Sequence, residues 1–144
     1  MSRVSTYLNF PRTTEQAFTF YKSVFGTEFD GEISRMGAAP ADEKRPPLPE
    51  EDRDLVMHVA LPILGGHVLM GTDASESMGF HLTYGNNMYV NLEPDTLAET
   101  ERLFAALSAG GTVQTPLQKM FWGAHFGSCV DTFGVQWMFN CESK

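Results

Sequence analysis

Three histidines and one aspartate are the first candidates for chemistry in this chain: His58, His67, Asp73 and His125, spaced 9, 6 and 52 residues apart. That spacing matches no short metal-binding motif, in which ligands recur within one helical turn or across one hairpin. Strand alternation sets His67 and His125 on the side away from Met70 and Trp122, which leaves His58 as the titratable group on that side. An imidazole with an ordinary pKa of about 6.5 can act as acid, base or hydrogen-bond donor near neutrality. A histidine on a sheet face can equally be a satisfied structural residue, and both readings stand for His58. Asp73 ends its strand and reads as a turn cap rather than a partner for His58. Ser75 and Ser77 lie outside any G-x-S-x-G elbow, and neither Cys129 nor Cys141 has an adjacent base, so covalent catalysis has no support. The hairpin between the cysteines sets Cys129 opposite about Gln136 rather than Cys141, the pattern of two reduced, mostly buried thiols.

The elements that must position these residues occur twice. Tyr7-Leu8-Asn9-Phe10 returns 82 positions later as Tyr89-Val90-Asn91-Leu92, and Pro11, Thr13, Phe20, Tyr21 and Val24 have counterparts in Pro94, Thr96, Leu103, Phe104 and Leu107. Ser5 to Phe10 alternates polar and apolar as a half-buried strand does. The helix that follows opens on a Thr13/Gln16 capping box, carries a stripe of Ala17, Phe20, Tyr21, Val24 and Phe25, and stops at Gly26. Thr96 with Glu99 caps the second copy, and Gly110-Gly111 ends it.

Strands are expected after each helix: Thr27–Arg35, Leu55–Leu64 and, past the Gly65-Gly66 turn, His67–Thr72 in the first copy; Thr112–Leu117, Phe121–Val130 and Val135–Cys141 in the second. The fold class is therefore α+β, two tandem βαβββ modules within one domain spanning 1–144. The modules are 1–73 and 87–144, joined by a crossover over 74–86. Between Gly37 and Asp54 stand four prolines and many charges, with few large apolar residues, which predicts a flexible flap.

Composition narrows the partners. A formal net charge of −8 with no local run of Lys or Arg disfavours nucleic acid and anionic membrane surfaces. No apolar run approaches the roughly 20 residues of a membrane span, and the first residues lack a signal-peptide core, so a cytoplasmic location is expected.

A doubled βαβββ unit resembles the vicinal oxygen chelate superfamily, which includes glyoxalase I, the extradiol dioxygenases and the bleomycin- and fosfomycin-resistance proteins. Tyr7-Leu8-Asn9-Phe10, Phe20 to Gly26, Met57 to Leu61, Phe121-Trp122-Gly123-Ala124 and Asp131 to Trp137 are similar to its PhnB-like branch, some members of which carry a 3-demethylubiquinone methyltransferase label. That label finds no counterpart in the residues, because no strand leads through a Gly-rich turn into a helix. The resemblance implies a cupped mixed sheet, the glyoxalase/bleomycin resistance/dioxygenase fold. In the metal-using members it also implies four ligands, which carry onto Ser5, Met70, Asn87 and Met138. None is His, Asp or Glu, so no metal and no other cofactor is expected.

Alternation places Tyr7, Asn9, Thr72, Tyr89, Asn91, Gln136 and Asn140 in the cup beside the two methionines, with His58, Trp122, Phe126 and Ser128 from the neighbouring strands. The expected ligand-binding set is Tyr7, Asn9, Met70, Asn87, Tyr89, Asn91, Trp122, Phe126 and Met138. Trp122 either stacks on a planar or cationic ligand or merely closes the cup. Two functions follow: a metal-free protein binding a small, partly apolar molecule, or an isomerase- or lyase-type enzyme using His58 as general base on a carbonyl-containing substrate. Open sheet edges and the resemblance together imply a homodimer.

Overall fold

The computed structural model describes residues 2–40 and 47–142. The expected flap over 37–54 falls partly on 41–46, outside the described residues. The chain divides into two compact units, Met1–Leu82 and Thr83–Lys144, the break falling inside the stretch read as a crossover.

In the first unit β1 (Thr6–Phe10) leads into α1 (Thr14–Phe25), followed by the short β2 (Ser34–Arg35), β3 (Val56–Pro62) and β4 (Val68–Asp73). The sheet order is β1-β4-β3-β2, with β1 parallel to β4 and the other pairs antiparallel. α1 packs on β3 and β4. Phe18 is the centre of that contact, edge-on to Phe10 at 6.3 Å and to Tyr21 at 5.7 Å. Gly71 in β4 makes room for it: a Cβ there would lie 2.5 Å from Phe18 Cε1. The burial of Phe10, Phe18, Tyr21, Leu61 and Leu69 supplies the apolar area that holds helix to sheet.

The second unit repeats the order with β5 (Val90–Leu92), α2 (Leu97–Ser108), β6 (Thr112–Lys119), β7 (His125–Val130) and β8 (Gln136–Cys141), in the sheet order β5-β8-β7-β6. Trp137, Phe139, Leu103, Leu107 and Cys129 form its core, and Phe104 meets Phe139 edge-on at 5.3 Å. Both cysteines are buried and unpaired as a disulfide. Each unit is thus the βαβββ module that the sequence repeat implies, and the class is α+β.

Local chemistry departs from expectation in four places. The α1 start is not a capping box: Thr13 makes no side-chain cap (φ −117, ψ 15), and Asp73 instead accepts from the Thr14 N–H at 3.1 Å. The acceptor comes from the end of β4, a residue 59 positions away, which local pattern cannot show. The expected Thr27–Arg35 strand shrinks to two residues, because Gly31 turns the chain at φ +81 and the register slips between Ser34 and Arg35. Cys129 lies across from Trp137 rather than Gln136, a one-residue difference in the β7–β8 ladder. Met57, which alternation with Val59, Leu61 and Ile63 sets in the core, is exposed near the start of β3.

Candidate functional site

In each unit the helix covers one sheet face and the other face is free of helix. Gly71 meets Phe18 and Thr14 of α1, so Met70 and Thr72, its neighbours in β4, point to the opposite face. The ladders extend that face: Tyr7 pairs with Met70, Asn9 with Thr72, Ala60 with Met70 and Ser34 with His58. Tyr7 is 52% exposed, and its ring centroid lies 6.0 Å from that of half-buried His58, tilted by 36°. Ser5 Oγ lies 3.9 Å from Met70 Sδ and donates to it. The first unit therefore brings together Tyr7, Asn9, His58 and Met70 on one uncharged surface of hydroxyl, amide, imidazole and thioether groups.

In the second unit Gly127 faces Phe104, which turns Phe126 and Ser128 to the helix-free face. Asn91 pairs with Met138, Ser128 with Met138, and Phe126 with Asn140. Trp122 is 53% exposed in the loop before β7, 6.3 Å from Phe126 and 4.9 Å from Phe121. That loop is held by hydrogen bonds from Met120 N to Ala124 O and from Gly123 N to Met120 O, with Gly123 at φ +100. Tyr89 lies just ahead of β5. Asn87 lies in a bend before the strand, exposed, rather than on it.

The two faces are not equivalent in the way the repeat alone suggests. Tyr7 is level with Met70, whereas Val90 is level with Trp137, so Tyr89, one step earlier, is level with Gln136. Gln136 is the counterpart of Met70, and Met138 is the counterpart of Thr72. Met70 and Met138, the two positions carried over from the last strands, are therefore two residues out of phase with each other. Gln136 is already committed: its amide donates to Met88 O at 2.6 Å, and its carbonyl accepts from Gln114 at 3.1 Å. By the same ladders the counterpart of His58 is Ser128, so the imidazole belongs to one unit alone.

The ligands that the resemblance implies for a divalent metal do not fit here. Ser5, Met70, Asn87 and Met138 supply a hydroxyl, an amide and two thioethers, and a hard or borderline divalent ion takes imidazole or carboxylate. Ser5 Oγ moreover turns its proton toward Met70 Sδ. Among the described residues no three His, Cys, Asp or Glu side chains gather as a metal site.

Two of the remaining candidates, His67 and Asp73, have structural partners. His67 Nε2 and Thr6 Oγ1 are 2.9 Å apart, and Asp73 holds the N–H groups of Thr14 and Val56 rather than His58. Sequence reasoning missed two buried carboxylates. Asp131 accepts from Trp137 Nε1 at 2.9 Å and from the backbone of Phe133 and Val135. Asp52, with a fully buried side chain, receives Ser77 Oγ and lies 2.8 Å from Arg12 Nη2. The Ser77 hydrogen bond, then Arg12, holds its carboxyl below the usual range. Nothing in the Pro-rich composition of 37–54 signals that its end is anchored this way. Two open depressions lie elsewhere: one of about 670 Å³ runs along the outer side of α1 at Glu15, Thr19 and Phe20, and one of about 460 Å³ separates α2 from the β6–β7 hairpin. Neither borders the helix-free faces.

The profile described as 3-demethylubiquinone-9 3-methyltransferase matches residues 2–139. The chain belongs to this PhnB-like family. The protein PA1353 of Pseudomonas aeruginosa is 33% identical over 100% of both chains, with a TM-score of 0.84. The PhnB protein of Bacillus cereus is 26% identical over 97% of this chain and 99% of that one, with a TM-score of 0.75. A glyoxalase/bleomycin resistance protein/dioxygenase family enzyme of Burkholderia phytofirmans PsJN, 20% identical over 94% and 96% of the chains at a TM-score of 0.60, shows the same fold. No curated protein matches the chain. The PhnB-like chain thus has the glyoxalase/bleomycin resistance/dioxygenase fold, and no helix among its described residues is long and apolar enough to cross a membrane.

Proposed function

We propose that this PhnB-like protein binds a small, partly apolar molecule against its helix-free sheet faces, without a metal ion or other cofactor. The observation that carries the reading is the composition of those faces. Tyr7, Asn9, Met70, Asn91 and Met138 offer polarisable surface with neutral hydrogen-bonding groups, and Trp122 with Phe126 adds aromatic surface at one end. Such surfaces suit an uncharged or softly cationic ligand body better than an anion. Asn87, in its bend, adds an amide at the margin. Methyl transfer is not part of the reading: α1 and α2 are entered through Pro11-Arg12-Thr13 and Glu93 to Thr96, and neither turn contains glycine. The protein acts in the cytoplasm as a homodimer, for which light scattering on the eluted species is the check; a 16.0 kDa species removes the dimer.

The test is a thermal-shift screen of small aromatic and cationic compounds, with and without chelator, on the natural chain and on Met70→Lys. Binding stabilises the folded state by mass action. A rise in Tm that persists with chelator and is lost in Met70→Lys supports the reading; a rise that chelator abolishes refutes it.

A second reading rests on the closeness of His58 to Tyr7. Here His58 takes a proton α to a carbonyl, and Tyr7 with neighbouring amides stabilises the oxygen that gains charge. Turnover that disappears in a folded His58→Ala variant supports it, and full turnover in that variant removes it.

A further inference from the structure

We propose that the groove between α2 and the β6–β7 hairpin, on the helix-bearing side of the second unit, is a separate binding site for a small zwitterion with an apolar body, in chemical class an aromatic α-amino acid. It is a depression open to solvent, with a volume of about 460 Å³, so a ligand there is held against its floor and between its walls rather than enclosed. The floor is Leu97 and Phe104 of α2 with Leu117 of β6, all half-buried.

That floor is fixed by packing. Phe104 is braced edge-on against Phe139, and a Cβ at Gly127 would come within 3.1 Å of Phe104 Cε2 and 3.0 Å of Leu117 Cα. Glycine at 127 is what lets the phenylalanine lie against the sheet. The walls carry opposite charges on opposite elements. Glu101 projects from α2 between Leu97 and Phe104 in sequence, and Lys119 stands across from His125 in the β6–β7 ladder.

These charges are unspent. On the same helix Glu99 and Arg102 satisfy each other through two bonds of 2.7 and 2.9 Å, whereas neither Glu101 nor Lys119 has an ion pair or side-chain hydrogen bond among the described residues. His125 Nδ1 is shielded from water and also lacks a partner. An ammonium group meets Glu101, a carboxylate meets Lys119, and the aromatic body covers the floor. One charge on each wall selects against ligands carrying only one, because the other wall is then covered without a partner.

The experiment is amide NMR titration of the full chain with L-phenylalanine, phenylacetate and phenethylamine to about 10 mM, a range that detects weak complexes. The expected result is a saturable shift of amides in 97–104 and 117–125 with phenylalanine, and affinities lower by about fivefold for each single-charge probe. Lys119→Met should weaken phenylalanine to the level of phenethylamine on the natural chain, and Glu101→Gln to that of phenylacetate; both positions are at the surface and their spectra report folding directly. Absence of saturable shifts, equal affinity for the three probes, or shifts confined to the helix-free face each overturns the proposal. The last outcome would still leave a site on the helix-free faces standing, and loss of that site leaves this one untouched.

Discussion

Replacing Asp73 with alanine tests how the first unit holds its sheet and helix together. The carboxylate is 3% exposed and accepts from two backbone groups, Thr14 N at 3.1 Å and Val56 N at 2.8 Å. One bond caps α1 and the other fixes the start of β3, so the side chain ties helix, β3 and β4 at a single point. Loss of a helix cap costs about 0.5–2 kcal/mol. A buried N–H left without an acceptor costs about 1–3 kcal/mol. Together Asp73→Ala should destabilise the first unit by about 2–4 kcal/mol, a large part of the roughly 5–15 kcal/mol that holds a domain folded. Both tryptophans, Trp122 and Trp137, belong to the second unit, so their fluorescence is the wrong probe. Native-state hydrogen exchange at core amides of β3 and β4 reads the loss directly. Asp73→Asn, which keeps one carbonyl acceptor, should lose about half as much. A loss below about 0.5 kcal/mol for alanine, the scale of a neutral surface change, would refute the two-bond account.

Other consequences are as specific. Burial, then the charge of Asp131, pushes the Cys129 thiol from 9.0 up to about 12. The folded chain keeps this proton between those values while the unfolded chain loses it, so stability falls as pH rises through that window. A thiol reagent at pH 8 should leave native Cys129 unmodified and label it after denaturation; fast native labelling would contradict its burial. Gly71→Ala places a methyl on Phe18 and should cost about 1–3 kcal/mol by chemical denaturation, while an unchanged midpoint would show that the aromatic cluster yields freely. Asp52→Asn removes the charge facing Arg12 and should raise exchange at Gly37 and Leu55, whose backbones flank that anchor, and unaltered rates there would show that Asp52 does not secure it.

The sequence carried the repeat, the strand parity and most of each helix stripe, because each is a short-range periodic signal that burial of one face enforces; in α1 the buried aromatic is Phe18, whereas Phe20, read into the stripe, lies half-buried on the outer side. Hence Tyr7, Asn9, His58, Met70, Asn91, Phe126 and Met138 fall on helix-free faces, as alternation implies. Long-range pairing was not legible. Met70 and Met138 correspond by strand order alone, but register is set by the ladders between β1 and β4 and between β5 and β8, which put them two residues out of phase. Asp73 looked like a local cap and Thr13 like a helix start; the structure joins them through a contact that no window along the chain contains. Asp52 was hidden for a related reason, since its partners Arg12 and Ser77 come from two distant turns. Which ligand the faces prefer is a matter of shape and desolvation, and residue types alone set only its polarity.

Native mass spectrometry of the freshly purified protein, joined to elemental analysis, bears most directly on whether the helix-free faces hold an organic molecule in place of an ion. The account predicts an organic adduct, or an empty chain that gains one from the screen, with divalent metal below about 0.1 per chain. One tightly held divalent ion per chain, returning after dialysis against chelator and lost on substituting Met70 or His58, would contradict it.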